Sequence, residues 1–557
     1  MPDRNTILHP YSKPLILTLL FFLTFGCGPK TEVDLLLTNG KIFSAGHGSP
    51  VHATLAVKDG LVVAAGDRSM ARHYRAPKRI NLSGKTVIPG FNDTHQHVRG
   101  RSHRDLELED LTSLKDLHNR IQNKAEELGP GEWITGYGWA EDDLTEKRRP
   151  LRWDLDEAAP ENPVILSRAG GHSAVASSLA LIMAKIDRNT PNPEGGVIER
   201  DDSGELNGII RERAGIIYRL VPDATWEELK PSFIQNLEFF LSLGITSFIQ
   251  AGATIREWGQ WQEIYNEYGE KLPRATVQIR WAGRKEMEAS GLMTGQGDHR
   301  LRVGAIKILT DGGFTGPAAY TIDPYKGRET YRGKMNYSEE ELNTIIFDAH
   351  KTGWQLGFHA IGDAAINLTV EMFVAALEKW PRGDHRHYLN HFTVSPPADT
   401  YRLMAMYGIH IAQQPNFTWT LDTRYMENLD GDRLELNNPL RTPMDYGIFV
   451  ALGSDILPTG PFRGLHSSVT RMGKTGRIFG PEERLSMEEA VIGYTRNGAF
   501  LTFEENMKGT LEAGMLADFV ILSQDIFTVP AEAIRETAVE QTYIGGKLVY
   551  DVSKSEL

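Results

Sequence analysis

The fold of this chain is decided by one stretch of sequence, Thr86-Val87-Ile88-Pro89-Gly90-Phe91-Asn92-Asp93-Thr94-His95-Gln96-His97, an apolar run that ends in two histidines. Side chains two residues apart in an extended strand point to the same face, so both imidazoles can bind one cation. Taken alone, two surface histidines in a loop explain the pattern equally well. The rest of the sequence decides between these interpretations.

Composition restricts the classes of protein to consider. The chain has 557 residues, of which 41% are hydrophobic and 24% are charged. These values are typical of a soluble globular protein with one large domain and appendages, or of about three ordinary domains. The net charge of -13 argues against a nucleic-acid partner, because phosphates require clustered Lys and Arg. No Gly-rich phosphate loop follows a predicted strand, so nucleotide binding is not predicted.

Cys27 is the single cysteine, which excludes an intrachain disulfide and a cysteine-based metal site. It follows an 11-residue apolar run, from Leu15 to Phe25, that has the length of a signal-peptide core. The Gly26-Cys27 pair resembles a bacterial lipoprotein signal, in which the cysteine is lipidated after cleavage. We therefore expect a signal peptide over residues 1–27 and an exported, membrane-anchored lipoprotein facing the periplasm. An uncleaved membrane anchor is the alternative.

Both ends of the chain contain short β-rich runs separated by Asn39-Gly40, Asp59-Gly60 and Gly545-Gly546, which are typical hairpin turns. We expect residues 33–90 and 504–551 to form one small composite β-sandwich around a central domain.

The central domain alternates apolar strands with amphipathic helices. Eight strands are predicted, at 86–91, 245–250, 275–281, 303–309, 354–359, 387–392, 409–413 and 447–452. This α/β pattern favours a (β/α)8 TIM-type barrel over residues 91–503 rather than an open sheet. A large insertion after strand one, over residues 100–240, is predicted to form a lid that supplies substrate contacts.

Polar side chains lie at or near the carboxyl ends of several predicted strands, where barrel active sites form. Each has its own structural explanation, since a strand-end histidine is often structural and an aspartate often caps a helix. A charged lysine inside an apolar strand is costly unless it is paired or neutral. Their joint occurrence predicts a metal site built from His95, His97, Lys307, His359, His391 and Asp455.

This order of residues resembles the amidohydrolase superfamily of metal-dependent hydrolases, over roughly residues 33–551. Asn390, Gln250 and Ser177 depart from the residues common at their positions and leave the substrate open. The amidohydrolase 3, or YtcJ-like, branch includes N-substituted formamide deformylase and is similar at several motifs. These are residues 84–97, Gly171-His172, Gly195-Gly196-Val197-Ile198, Gly362-Asp363, Gly453-Ser454-Asp455 and residues 508–520.

The resemblance implies a role for each candidate residue. His95 and His97 would hold one metal and His359 and His391 a second, with Lys307 bridging them as an N-carboxylated lysine. Asp455 would be both a ligand and the general base and acid, and His172 a catalytic residue that binds substrate. Asp311 and Asp363 would orient the ligands. One or two divalent ions are expected, zinc first, with iron or manganese as alternatives.

The predicted function is hydrolysis of a non-peptide carbon–nitrogen bond, in an amide or N-substituted formamide of a small molecule, through a metal-activated water. Hydrolysis of an ester, a lactone or a cyclic amidine at the same site is an alternative. A non-catalytic metal-binding or ligand-binding lipoprotein is another. The expected partners are a small-molecule substrate, no nucleic acid and a membrane reached only through the anchor or leader, with a homodimer left open.

Overall fold

The computed structural model describes residues 30–48, 50–169, 171, 173–193, 196–314 and 316–554. The predicted signal peptide with Cys27 and the candidate residue His172 lie outside these ranges. Among the helices within these ranges, none is both long enough and apolar enough to cross a membrane.

Eight parallel strands follow one another along the chain and form two four-stranded sheets. Strands one to four make the first sheet and strands five to eight the second, each paired with its sequence neighbours. We number them parallel strand one to eight: Phe91–Gln96, Ile245–Ala253, Arg274–Arg280, Leu301–Lys307, Gly357–Ala360, Tyr388–His391, His410–Gln413 and Val450–Leu452.

The two sheets adjoin at both edges, but the described strands do not form one closed ladder. Single parallel bridges join Ile306 to Leu356 and Leu309 to His359 between strands four and five. On the other side, the Asp455 backbone N–H donates to the His95 carbonyl at 2.8 Å. Parallel strands five and eight have only 4 and 3 residues, which is too short for continuous backbone hydrogen bonding between the two sheets.

The predicted first strand is divided between two sheets. Thr86–Pro89 pairs within the β-sandwich, whereas Phe91–Gln96 is parallel strand one and contains His95. Gly90 lies between the two strands. A Cβ atom on this residue would lie 2.1 Å from Thr246 Oγ1 of parallel strand two. Only glycine lets the chain pass parallel strand two so closely.

Helices separate most of the parallel strands. A capping box begins the helix Glu339–Lys351: the Ser338 hydroxyl accepts from the Glu341 N–H at 3.3 Å, and the Ser338 N–H donates to Glu341 Oε2 at 2.9 Å. The α-helices are Leu114–Leu128, Arg152–Ala158, Ser178–Met183, Gly215–Tyr218, Trp226–Ser242, Ile255–Tyr268, Arg284–Ser290, Glu339–Lys351, Asp363–Lys379, Ala398–Tyr407, Asn416–Thr420, Asp422–Asn428, Gly431–Glu435, Arg441–Asp445, Pro461–Thr470, Met487–Gly493 and Arg496–Leu501. Short 3₁₀ helices span Arg68–His73, Pro481–Glu483, Ala531–Glu536 and Val552–Lys554.

Both ends of the chain contribute to two further sheets that share one apolar core, which includes Leu37, Val87, Phe519 and Tyr543. The first sheet has the order Leu61–Gly66, Thr54–Lys58, Leu35–Thr38 and Lys78–Asn81. The second has the order Lys547–Asp551, Val539–Ile544, Phe519–Leu522, Thr86–Pro89, Lys41–Phe43 and Val51–His52. Thr31–Glu32 pairs separately with Tyr74–Arg75.

The segment after parallel strand one forms a mixed six-stranded sheet of its own. Successive residues of its strands pack into two different apolar clusters: Leu166 belongs to one cluster and Ile165 to the other. Both faces of the sheet are therefore covered by apolar side chains. The strand order is Asp105–Glu107, Ile134–Trp139, Val164–Arg168, Ser173–Ala176, Leu206–Arg211 and Val197–Arg200.

Candidate metal centre

His95, His97 and Asp455 form one cluster at the carboxyl ends of parallel strands one and eight. Asp455 Oδ1 lies 3.7 Å from His97 Nε2, and Asp455 Oδ2 lies 3.9 Å from His95 Nε2. Bonds from a metal to imidazole nitrogen or carboxylate oxygen are about 2.0–2.2 Å long, so two ligands of one ion lie about 3–4 Å apart. The two distances to Asp455 have this spacing, and all three donor atoms lie within 4.8 Å of one another, close enough to hold one cation.

His359 and His391 form a second pair beside this cluster. Their ring centroids lie 4.5 Å apart, and the His391 ring lies 4.6 Å from that of His95. The structure thus brings all four predicted histidines together, from parallel strands one, five and six. Two of them lie in sequence more than 250 residues after His95.

Lys307, the last residue of parallel strand four, is buried among these histidines. Its charge lowers the pKa of all four imidazoles, although burial is the larger cause for each. Burial also lowers the pKa of Lys307 to about 7, against an opposing effect of Asp455. The neutral amine is therefore present in a substantial fraction near neutral pH, beside the charged form.

His391 and Asp455 both adopt left-handed backbone conformations, with φ of 74° and 56°. Side chains other than glycine rarely adopt these angles, and such strain persists only where surrounding contacts enforce it. Gly453 allows the close approach that holds the Asp455 segment, because a Cβ atom there would lie 2.8 Å from His95 N. Both strained residues are candidate ligands.

Asn390 sets the orientation of the His95 ring. His95 Nδ1 lies 2.9 Å from Asn390 Oδ1, which can only accept, so Nδ1 donates the proton. His95 Nε2 is then unprotonated, and it is buried without a hydrogen-bond partner among the described residues. A buried, unprotonated imidazole nitrogen without a hydrogen-bond partner is well suited to bind a metal ion.

Asp93 is a site residue that sequence reasoning missed. It is fully buried and accepts from the backbone N–H groups of His95 at 3.1 Å and Ser454 at 3.0 Å, and from the Ser454 hydroxyl. Burial raises its pKa to about 6. Its place two residues before His95 was visible in the sequence, but nothing there indicated Ser454 as its partner.

Asp311 and Asp363 differ in their distance from the ligands. Asp311 Oδ1 lies 3.5 Å from His359 Nε2, and the carboxylate accepts from the N–H groups of Ile361 and Gly362. Burial raises its pKa to about 7. Asp363 instead accepts from the N–H of Ile322 at 2.9 Å, at the start of its helix. Asp311 thus faces the histidine pair, whereas Asp363 holds the loop that follows parallel strand four.

A cavity of about 500 Å³ opens between the insertion and the loop after parallel strand four. Ser173, the neighbour of His172, lines it from the insertion side, and Ala318 lines it from the loop. A Cβ atom on Gly312, next to Asp311, would lie 2.6 Å from Ala318 Cβ. The cavity therefore borders the segment that carries Asp311, on the side of the predicted lid.

The electrostatic state of the site suits a cation. Neutral imidazole is the form that binds metals, and burial lowers the pKa of His97 and His359 to about 3. Burial also raises the pKa of Asp455 to about 6. Four neutral histidines and one carboxylate form a nitrogen and oxygen donor set for a divalent ion.

Comparison with known proteins agrees with this geometry. Residues 78–550 match the amidohydrolase family. The chain belongs to this family. Among its relatives, N-substituted formamide deformylase of Arthrobacter pascens is 28% identical over 545 residues, covering 93% of this chain and 98% of the relative. YtcJ of Bacillus subtilis is 28% identical over 515 residues, covering 89% and 96%.

A solved structure described as an uncharacterized metal-dependent hydrolase from Pyrococcus horikoshii matches with a TM-score of 0.72 and 23% identity, covering 89% of this chain and 99% of that chain. At this identity the likeness shows the fold alone. The amidohydrolase family is built on a TIM-type barrel with mixed α/β content. Family and donor set together make this amidohydrolase a metal-dependent hydrolase of carbon–nitrogen bonds that uses a divalent ion.

Proposed function

We propose that this amidohydrolase hydrolyses an amide or an N-substituted formamide of a small molecule, consuming one water and releasing a carboxylic acid and an amine. The single observation that carries the proposal is the Asp455 carboxylate, 3.7 Å from His97 Nε2 and 3.9 Å from His95 Nε2. A protein that only binds a ligand has no need of such a proton carrier. The formamide deformylase relative supports the choice of substrate class.

Zinc is the proposed metal, because imidazole nitrogen with carboxylate oxygen is its usual donor set. His95, His97 and Asp455 would hold one ion, and His359 and His391 would hold a second. A divalent cation held by these residues would supply an activated water near neutral pH and a Lewis acid for the substrate carbonyl. Asn390 would keep His95 Nε2 unprotonated by accepting from Nδ1.

Lys307 is proposed to carry a carboxylate on its Nζ atom. A neutral amine adds carbon dioxide and releases one proton, which requires the unprotonated form. The burial that lowers the pKa of Lys307 to about 7 supplies that form near neutral pH. The product replaces a buried cation among four histidines by an anion with two oxygen ligands.

Asp455 is proposed to move the proton during the reaction. Its carboxylate accepts a proton from the attacking water and then delivers it to the leaving nitrogen. Burial raises the pKa of this group to about 6, which brings it closer to a working range for both steps. His172, outside the described residues, is proposed to bind the substrate from the insertion.

Metal analysis of the purified protein, followed by a panel of N-formyl amines, N-acyl amines, esters, lactones and cyclic amidines, tests the proposal. We expect bound zinc, turnover of the amides or formamides, and at least a 1,000-fold lower kcat in Asp455→Asn, in the range of other losses of a proton-transfer group. Preferred turnover of an ester, lactone or amidine would reassign the substrate class. No bound transition metal and unchanged turnover in Asp455→Asn would refute the mechanism.

Export and lipidation at Cys27 are proposed from the leader sequence alone. The Cys27→Ser variant should leave the membrane fraction, because the thiol carries the lipid. Fractionation of cells that express wild type or variant measures this. Membrane attachment of Cys27→Ser with an unprocessed leader would favour the uncleaved anchor.

A further inference from the structure

Two arginine side chains without protein partners lie at the open end of the candidate site. Arg280 is the last residue of parallel strand three, and Arg99 follows His97 by two residues. Both side chains are exposed, and among the described residues neither forms an ion pair or a side-chain hydrogen bond. In a chain with 73 acidic and 60 basic side chains, carboxylate partners are abundant elsewhere.

Arg280 lies beside Lys307. The two residues are register partners across parallel strands three and four. A Cβ atom on Gly252 would lie 3.2 Å from Lys307 Cγ and 3.3 Å from Arg280 Nε, so both side chains lie next to Gly252 and to each other. The positive charge of Arg280 also lowers the pKa of Lys307 and of His97, after the larger effect of burial. The guanidinium is therefore close enough to act on the contents of the site.

Arg99 lies near the same histidines and Asp455, just after the end of parallel strand one. Its backbone is fixed, because Asn236 donates to the Arg99 carbonyl at 2.8 Å and Val98 N–H donates to Gln250 Oε1 at 2.8 Å. Its charge adds to the fall that burial causes in the His97 pKa and partly offsets the rise that burial causes in the Asp455 pKa. The exposed side chain therefore extends from a fixed backbone two residues after His97, with its charge near His97 and Asp455.

Two apolar side chains at the same end are exposed. Leu309 follows Lys307 by two residues and is 46% exposed, and Ile456 follows Asp455 and is 47% exposed. Ile456 N–H donates to Asp455 Oδ1 at 2.8 Å, which holds its backbone beside the proton carrier. Exposed apolar side chains beside a catalytic group suit an apolar part of a ligand.

We propose that the substrate is an N-formyl or N-acyl amine with an apolar body and a carboxylate, and that Arg280 and Arg99 bind this carboxylate. Guanidinium groups bind carboxylates through paired N–H donors, and a neutral substrate would leave both cations unused. The inference rests on the proposed function, because it names the substrate class of that same site.

A matched pair of substrates tests the inference. N-formyl-phenylalanine and N-formyl-phenethylamine differ only by the carboxylate, so the ratio of their kcat/KM values isolates its contribution. For the zinc-loaded wild type we expect a preference for the carboxylate of about 10- to 100-fold, the range of a hydrogen bond to a charged group. The Arg280→Gln and Arg99→Gln variants should each lower this ratio, and the double variant should bring it close to 1.

Two control variants accompany the pair. Arg280→Lys keeps the charge and should restore part of the ratio. Arg68→Gln, on an exposed 3₁₀ helix in the β-sandwich, should leave the ratio unchanged. A wild-type ratio near 1 with good turnover of the uncharged formamide would overturn the inference and leave the proposed function intact. Turnover of neither substrate, nor of any other amide, would refute the proposed function.

Binding supplies a second readout that needs no turnover. Calorimetric titration with 4-phenylbutyrate and 4-phenylbutan-1-ol compares an inert carboxylate with its neutral counterpart. We expect wild type to bind the carboxylate at least 10-fold more tightly, and the double variant Arg280→Gln/Arg99→Gln to lose this difference. An equal preference for 4-phenylbutyrate in wild type and double variant would mean that another residue binds the carboxylate, and would overturn the inference.

Discussion

The carboxylate of Asp93 holds Ser454, although 361 residues separate the two in sequence. The Ser454 N–H donates to Asp93 Oδ1 at 3.0 Å, and the Ser454 hydroxyl donates to Oδ2. Asp93 Oδ1 also accepts from the His95 N–H at 3.1 Å. One buried carboxylate thus fixes a candidate ligand on parallel strand one and the residue before Asp455.

The Asp93→Ala variant should weaken metal binding and lower kcat/KM, each by about 10- to 100-fold, the usual cost of removing a group that orients a ligand. The change leaves the N–H groups of His95 and Ser454 without their acceptor. Competition with a chelator measures the metal affinity. Asp93→Asn keeps one carbonyl oxygen and should recover part of both losses, whereas wild-type affinity in Asp93→Ala would refute this role.

Asn390→Leu should lower metal affinity by about 10- to 100-fold, because the His95 Nδ1 proton loses its acceptor. The His95 ring is then free to rotate or to place its proton on Nε2. Metal titration of the purified variants measures the effect. Asn390→Asp keeps the acceptor and should bind metal much better than Asn390→Leu; equal affinities in the two variants would contradict the prediction.

Removal of the metal should lower the melting temperature as well as abolish activity. A ligand that binds only the folded state stabilises it by about 4 kcal/mol at 1,000 times its dissociation constant. Calorimetry of chelator-treated protein, before and after adding zinc, measures the shift. His95→Gln should lose most of the shift, and a shift of wild-type size in this variant would indicate a metal site elsewhere.

Stability should fall as the pH drops from about 6.5 toward 4, because of buried histidines at the opposite ends of parallel strands five to seven. Burial lowers the pKa of His385 and His410 to about 4. His387 accepts from the Leu356 N–H at Nδ1 and lies 2.9 Å from His350 Nδ1 through Nε2, while His350 Nε2 donates to the Trp380 carbonyl. Each ring thus accepts at one nitrogen and donates from the other, as only a neutral imidazole can. The unfolded chain binds these protons below about pH 6.5 and the folded chain does not, so acid favours unfolding.

Thermal unfolding across this pH range checks the expectation. His410→Gln removes one titrating ring and should flatten the pH dependence between 6.5 and 4, since each unit of pKa difference contributes about 1.4 kcal/mol. Equal slopes for wild type and variant would show that acid lability has another origin.

Arg274→Met should destabilise the protein by about 3–5 kcal/mol, because it leaves the buried Asp518 carboxylate without its cation. Arg274 Nε lies 2.7 Å from Asp518 Oδ2, and this pair joins parallel strand three to the β-sandwich. The Arg274→Met/Asp518→Asn double variant removes both charges and should be less destabilised than Arg274→Met alone. Urea unfolding of the three proteins measures this, and additive losses would contradict it.

The sequence alone determined the residue types at the strand ends. Apolar runs and the polar residues that follow them are local features, so His95, Lys307, His359, His391 and Asp455 could be assigned to the ends of separate parallel strands. Seven of the eight predicted strands are present with bounds shifted by a few residues, whereas the first is divided between two sheets at Gly90. The two-residue period of an extended chain also correctly placed the His95 and His97 rings near each other, 5.2 Å apart.

Only the tertiary structure decided which partners hold these residues in place. Asn390 was visible as an unusual residue beside His391, but its bond to His95 spans 295 residues and depends on how the two sheets adjoin. The same holds for the hydrogen bonds between Asp93 and Ser454. A hydrogen bond across a barrel depends on the register and tilt of strands distant in sequence, and local patterns of hydrophobicity carry no information about that register.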